Sequence, residues 1–394
     1  MRIFAKTMNK EEKKQLELKL SNLEANEKNR LFKRAAQLRK LAQSKNNTRP
    51  RRAILHFEED EEPETVAVRQ PQSSLHEWVL KLLAEEAEAA PEAKPTSARS
   101  GQIISIGPRS VDVEFEGQML TCLLSAELAE KQQTEIAVGD RVEIQFKGEN
   151  AAVVERVLPR RTKLSRPDPG KPGLERVIVA NVDVVAVVTS LVSPPLHPRI
   201  LDRYLIAIRR GGAEAVIVVN KIDLAREEER EVELAKLEPY RRLGLPIVVV
   251  SAESRANVLQ LRELLKGKIS AFVGHSGVGK SSLLNALKPD LGLQAGAVSS
   301  GYGRGTHTTT RSTMWDLGEG TRIIDTPGIR SFGLWNLTKE ELPWYFPEFS
   351  EVGRCKFRNC SHVHEPDCAV KLAVQRGGLS PDRYDTYLRI LRSI

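Results

Sequence analysis

The chain has 394 residues, 28% of them charged, with a formal net charge of +8, enough length for two or three domains and a charge balance that favours a polyanionic partner, nucleic acid first. No stretch approaches the ~20 apolar residues of a membrane span, which argues against an integral membrane protein. The opening MRIFAKTMNKEEKK lacks the apolar run of a secretory signal and carries acidic residues that a transit peptide avoids, so the chain reads as cytoplasmic.

Residues 1–56 hold 16 Lys/Arg against 5 Asp/Glu and are helical in flavour. They form either a solvated helical arm or one that meets RNA phosphates. The charge then reverses in EEDEEPE and EEAEAAPEAKP, so residues 57–97 read as a poorly ordered acidic linker with a short helix near 75–83. The whole of 1–97 is taken as a partly disordered extension.

From residue 98 short strands follow one another: GQIISIG (101–107), VDVEF (111–115), MLTCLLS (119–125), DRVEIQF (140–146) and AAVVERV (151–157). Five strands in so short a span predict a small OB-fold barrel over 98–160. Cys122, within an alternating strand, reads as a packing residue. Arg156, Arg160, Arg161, Lys163 and Arg166 crowd the barrel's exit, a basic edge suited to RNA or simply a solvated one.

Continuous apolar runs then alternate with helices: 182–190, a helix 198–210, 215–220, a charged helix 227–243, and 246–251. Strands buried on both faces read this way in a parallel sheet. The run AVIVV delivers Asn220, Lys221, Ile222 and Asp223, an N-K-x-D motif, to the carboxyl end of a strand. Asp223 would accept the N1–H and 2-amino protons of guanine, Lys221 would pack along the base and Asn220 would brace the loop. One strand later Ser251 and Ala252 stand where a backbone N–H would meet the guanine O6.

A further strand leads into Gly274, His275, Ser276, Gly277, Val278, Gly279, Lys280 and Ser281, with Ser282 behind them. This is G-x-x-x-x-G-K-[ST], the phosphate loop. Its backbone N–H groups would surround an anion, Lys280 would reach the terminal phosphates and Ser281 would hold Mg²⁺. The hydroxyl-rich segment 299–313 reads as a first switch, with Thr310 as the Mg²⁺ ligand and Thr309 as the alternative. Asp325-Thr326-Pro327-Gly328 reads as the second switch, where Asp325 holds Mg²⁺ through water and the Gly328 N–H meets the γ-phosphate. Ile329 follows, and an isoleucine cannot orient water. His307 is the nearest polar residue for that task. N-K-x-D precedes the phosphate loop, so the GTPase domain, 161–340, is circularly permuted and its second switch leads into the segment after it.

That segment holds Cys355, Cys360, His362 and Cys368, a Cys₃His set with the spacing of a closed structural zinc site. It defines a zinc-binding C-terminal module, 341–394, closed by a helix over 381–394. Barrel, permuted GTPase motifs and zinc module in this order resemble the RsgA (YjeQ) family of ribosome small-subunit-dependent GTPases. The resemblance spans 98–394 and rests on GHSGVGKSS, NKID, THTTT, DTPG and the cysteine spacing together. It implies a cytoplasmic GTP-hydrolysing factor in late maturation of the small ribosomal subunit, stimulated by that subunit; the chain itself is expected to be a monomer. The barrel and zinc module would grip rRNA, and His307 matches the family's switch histidine. His275 departs from the glutamine expected there, and 1–97 lies outside the common pattern. The competing reading is an RNA-binding GTPase or scaffold that acts on another RNA.

Overall fold

The computed structural model describes residues 10–23, 28, 31, 32, 35, 79–82, 99–130, 132–147, 151–168, 170, 171, 173–291, 312–326, 332–357 and 359–394. Two compact units make up the chain, Met1–Lys94 and Pro95–Ile394. In the first, helix α1 (Lys10–Asn22) carries Leu16, Leu18 and Leu20, which are buried, as are Leu31, Phe32, Val79, Leu80 and Leu82. These leucines set the segment apart from a uniformly solvated arm. Most of the acidic stretch 57–97 lies outside the described residues.

The second unit begins with β1 (Arg99–Ile106), β2 (Ser110–Phe115) and β3 (Gln118–Leu124), an antiparallel meander. Two short helices, α2 (Ala126–Glu130) and α3 (Gln132–Glu135), lead to β4 (Arg141–Lys147) and β5 (Ala151–Val157). β3 pairs in parallel with β5, β5 with β4, and β4 returns to β1. The cycle β1-β2-β3-β5-β4 is an OB-like barrel, closed because closure leaves no unpaired ladder between its strands. Ile103, Val111, Val113, Cys122, Val142 and Val154 fill it from alternating positions. Cys122 is fully buried there.

The basic run at the barrel's exit is largely ion-paired, although Arg156 and Arg161 stay exposed. Its last two members fall in β6 (Lys163–Pro167), which pairs with β7 (Glu175–Ala180). Arg156 pairs with Glu143, Arg160 with Asp140 at 2.6 Å, Arg161 with Asp183 at 2.5 Å and Lys163 with Glu175 at 2.7 Å. Four of the five cations are thus held by carboxylates that a linear reading could not pair with them.

β8 (Val184–Ser190), helix α4 (Pro198–Arg210), β9 (Glu214–Asn220), helices α5 (Glu227–Ala235) and α6 (Glu238–Arg242), and β10 (Ile247–Val249) follow. The expected single charged helix is broken in two ahead of Pro239. Helix α7 (Val258–Leu265), β11 (Ile269–Val273), helix α8 (Lys280–Leu287), β12 (Thr313–Gly318) and β13 (Thr321–Asp325) complete the sheet, in the order β10-β9-β8-β11-β13-β12. All contacts are parallel except β12–β13. Every residue of β8 is buried. Val185 and Val187 join one core under α4 and Tyr240, while Val184, Ala186 and Val188 join the other under α7 and α8. Period-two alternation between two apolar faces explains why the strand reads as an unbroken apolar run.

Barrel and sheet meet at few but specific points. Ser105 pairs with Thr313, and Arg322 donates to both oxygens of Glu114 at 2.6 and 2.9 Å. Gly139, at φ 93°, lies under β7, where an added Cβ would sit 2.0 Å from the Ala180 carbonyl oxygen. Gly117, at φ 77°, has open space around it. Gly139→Ala should therefore cost about 3 kcal/mol, since clash and left-handed strain combine, whereas Gly117→Ala should cost about 1 kcal/mol from strain alone. Urea midpoints of the two variants measure the difference.

Candidate nucleotide site and metal centre

The carboxyl ends of β9, β10 and β11 bring three loops together. Asn220, the last residue of β9 and 2% exposed, is the brace between them. Its Nδ2 donates to the Val278 carbonyl at 3.0 Å, and its Oδ1 accepts the Ala252 N–H at 3.0 Å. Gly279, the N-cap of α8, has φ 89°, and a Cβ there would come within 2.4 Å of Asn220 Nδ2. Glycine is required by the backbone and by the close approach of the amide. The Ala252 N–H, expected to face the base, thus has Asn220 as its partner in this structure. Ser251 is fully buried and its hydroxyl accepts from the Ser254 N–H at 3.0 Å.

Lys221 adopts a left-handed conformation, φ 63°, and its Nζ donates to Gly277 O at 2.5 Å and Ser193 O at 2.6 Å. The guanine motif is thereby clipped to the phosphate loop. Ile222 and Asp223 open a short 3₁₀ turn, with the Asp223 carboxylate at the exposed rim. Within the phosphate loop Gly274 and Val278 are buried, His275 and Gly277 are half-buried, and Ser276 is exposed. Ser281 and Ser282 are half-buried in the first turn of α8.

The Lys280 ammonium folds over the loop, donating to Gly274 O and His275 O at 2.9 Å each. Burial pushes its pKa down to about 8, partly offset by the negative charge of Asp325. Burial likewise raises the Asp325 carboxyl, and Lys280 opposes the rise. Both groups have lost hydration, so an anion beside Lys280 or a cation beside Asp325 would favour its charged form. Thr326 donates its hydroxyl to Phe272 O at 2.6 Å, fixing the end of β13 beside β11. His307, Thr309, Thr310, Gly328 and Ile329 lie outside the described residues.

Strand order and motif order together define the permutation. β9 with the guanine loop precedes β11 with the phosphate loop, yet both run parallel to β8 and end on one side. A family model described as RsgA GTPase matches residues 157–335. The small ribosomal subunit biogenesis GTPase RsgA of Histophilus somni is 41% identical over 303 residues, which cover 75% of this chain and 84% of that protein. Its Shewanella oneidensis counterpart is 38% identical over 304 residues, with 75% and 84% covered. The chain belongs to the RsgA GTPase family. Among solved structures, YjeQ from Thermotoga maritima is similar at a TM-score of 0.60 and 35% identity, covering 75% of this chain and 98% of that one. YloQ, described as a circularly permuted GTPase, matches at a TM-score of 0.57 and 28% identity, with 77% and 98% covered. RsgA-family membership makes the chain a GTP-hydrolysing enzyme. Among the described residues no helix is long and apolar enough to cross a membrane.

The second site is the Cys355–Cys368 loop. The ligand atoms of Cys355, Cys360, His362 and Cys368 lie within 4.8 Å of one another. Cys355 Sγ is 3.8 Å from Cys368 Sγ and 3.5 Å from His362 Nδ1, which is 3.4 Å from Cys368 Sγ. A tetrahedron with metal–sulfur bonds of about 2.3 Å and metal–nitrogen bonds of about 2.0 Å has edges of about 3.8 and 3.5 Å. The four residues fit a metal ion. Burial lowers the His362 pKa, favouring the neutral imidazole that a metal binds. Tyr384 and Tyr387 donate their hydroxyls to His362 O at 2.6 Å and Ser361 O at 2.8 Å. These bonds tie the loop to the C-terminal helix (Pro381–Ser393), a support that cysteine spacing alone did not disclose.

Lys280 yields a pH prediction. Its folded pKa is depressed, and a bound triphosphate would raise it, so binding takes up a proton above pH 8. GTP affinity should be flat below about pH 8 and fall up to about tenfold per unit above it, until the raised value is passed. Calorimetric titrations at pH 8.5 in two buffers of different ionisation enthalpy should show proton uptake that Lys280→Met abolishes.

Proposed function

We propose that this chain is a GTP-hydrolysing assembly factor that acts in late maturation of the small ribosomal subunit, in the cytoplasm, on contact with the subunit's rRNA. The observation that carries this reading is the junction at Asn220. One buried amide holds the guanine loop, the phosphate loop and the Ser251–Ala252 loop in a permuted sheet, in a family whose named relatives are small-subunit biogenesis GTPases.

In this reading Asp223 reads the guanine edge, with Lys221 along the base and Asn220 and Ile222 setting the loop. Lys280 leaves its carbonyl partners for the terminal phosphates, and the N–H groups from Gly274 to Ser282 enclose them. Ser281, Asp325 and Thr310 (or Thr309) hold Mg²⁺, which would neutralise charge on the β- and γ-phosphates. Gly328 senses the γ-phosphate. Ile329 cannot place water, so the catalytic pair is His307, which orients water, and Lys280, which stabilises the transferred group. The metal at Cys355, Cys360, His362 and Cys368 is zinc, because three thiolates and one imidazole suit it far better than magnesium or calcium. With four protein ligands it is structural.

Turnover should be slow in the isolated monomer and rise at least about tenfold when purified small subunits are added. A rate unchanged by subunits, with GTP binding intact, would favour action on another RNA. Base reading has its own test. Asp223→Asn turns a carboxylate acceptor into a group that also donates, matching the 2-carbonyl of xanthine. The variant should lose about 100-fold or more in GTP affinity and gain XTP binding, read by competition against a fluorescent nucleotide.

A further inference from the structure

The C-terminal module contacts the nucleotide-binding domain through a buried charge network. Helices α9 (Glu348–Glu351), α10 (Ala369–Gln375) and α11 (Pro381–Ser393) enclose a core of Phe346, Phe349, Cys368, Val370, Tyr387 and Ile390, joined by Ile206 of α4. From α11, Arg383 enters that contact at 4% exposure. Its guanidinium donates to Asp202 Oδ1 at 2.6 Å and Glu348 Oε1 at 2.7 Å, and lies over the rings of Phe346 at 4.7 Å and Tyr240 at 5.5 Å. Asp202, in α4, is fully buried. At the other end of α4, Arg210 donates to the carbonyls of Trp335 and Asn336 and pairs with Glu341 at 3.4 Å.

The network continues toward the nucleotide site. The single hydroxyl proton of Tyr240 is shared between Asp202 Oδ1 at 2.7 Å and Pro198 O at 3.0 Å. Pro198 opens α4 and ends the loop 190–197, which is closed on itself by the Ser190 hydroxyl donating to Pro194 O at 2.6 Å. Ser193 in that loop gives its carbonyl to Lys221, whose ammonium also holds Gly277 of the phosphate loop. A short series of contacts thus runs from the module's last helix to the guanine and phosphate loops. A buried ion pair adds little net stability over apolar packing, but any docking that left one partner unpaired would be strongly disfavoured.

We propose that Arg383 and Tyr240 are positioning residues for guanine-nucleotide binding. Through Asp202 and Pro198 they fix the loop on which Lys221 is anchored, and the metal-bearing module is thereby a structural part of the nucleotide site. The proposal rests on the GTPase reading above. Coupling of this kind is established by double-mutant cycles rather than by proximity.

Tyr240→Phe removes one hydroxyl and keeps the ring, and Arg383→Gln removes the charge. Both proteins, full length, are assayed for bound metal, melting temperature, GDP affinity and steady-state GTP turnover. With metal retained, GDP Kd and the KM for GTP should rise about fivefold, while kcat at saturating GTP stays within about twofold. In a Lys221→Met background the Tyr240→Phe penalty should vanish, because the anchored side chain is gone. Tyr240→Phe binding GDP as tightly as the unmodified chain overturns the proposal, as does an undiminished penalty in the Lys221→Met background. If Arg383→Gln loses metal or fails to fold, Tyr240→Phe alone decides. Failure of the unmodified chain to bind any guanine nucleotide would overturn the GTPase reading itself, a different result from equal binding by all three proteins.

Discussion

The nucleotide site depends on keeping three loops, distant in sequence, within hydrogen-bond reach of one another. Asn220 does this with both ends of one amide, donating to the phosphate loop and accepting from the loop after β10. Each such bond contributes about 1 kcal/mol net, but a buried partner left unpaired costs about 1–3 kcal/mol. No aliphatic residue of the same size can stand here. The geometry in turn demands Gly279, because any side chain would occupy the volume of the amide.

Permutation changes which segment leads where, and the sheet tolerates it because strand pairing depends on register rather than chain order. β8 supplies the register, with β9 on one side and β11 on the other, and its alternating valines face two separate cores. Helix α4 stands between the sheet and the C-terminal module. Its apolar face covers the sheet, while Asp202, Ile206 and Arg210 on its other flank face the C-terminal module. Packed against both, the helix holds the sheet and the module in one fixed arrangement, because close-packed interiors yield little.

The C-terminal module has a small apolar core, and the loop at its tip gathers three thiols. Burial pushes the Cys360 thiol up to about 12, so without a cation that thiol would keep its proton. A divalent ion reverses that preference, and its binding energy becomes folding energy for the loop. Tyr384 and Tyr387 give the loop its link to α11. Arg383, on the same helix, gives α11 its link to α4.

Much of the fold was legible in sequence because its signals are local. Alternation marked the barrel strands, continuous apolar runs marked β8 and β9, and glycines and motif residues marked the loops. Strands β6 and β12 carry no such period, while β7 has an apolar run of only four residues, 177–180. The sequence by itself determined the guanine and phosphate motifs, their reversed order and the cysteine spacing, since backbone turns and ligand sets need particular residue types at particular intervals. The tertiary structure alone decided which charges are available. Four cations at the barrel's exit are paired with Glu143, Asp140, Asp183 and Glu175, and Arg383 is buried against Asp202. Ion pairing acts across space, and no spacing along the chain reveals that a carboxylate 181 residues away will close on a guanidinium at 2.6 Å.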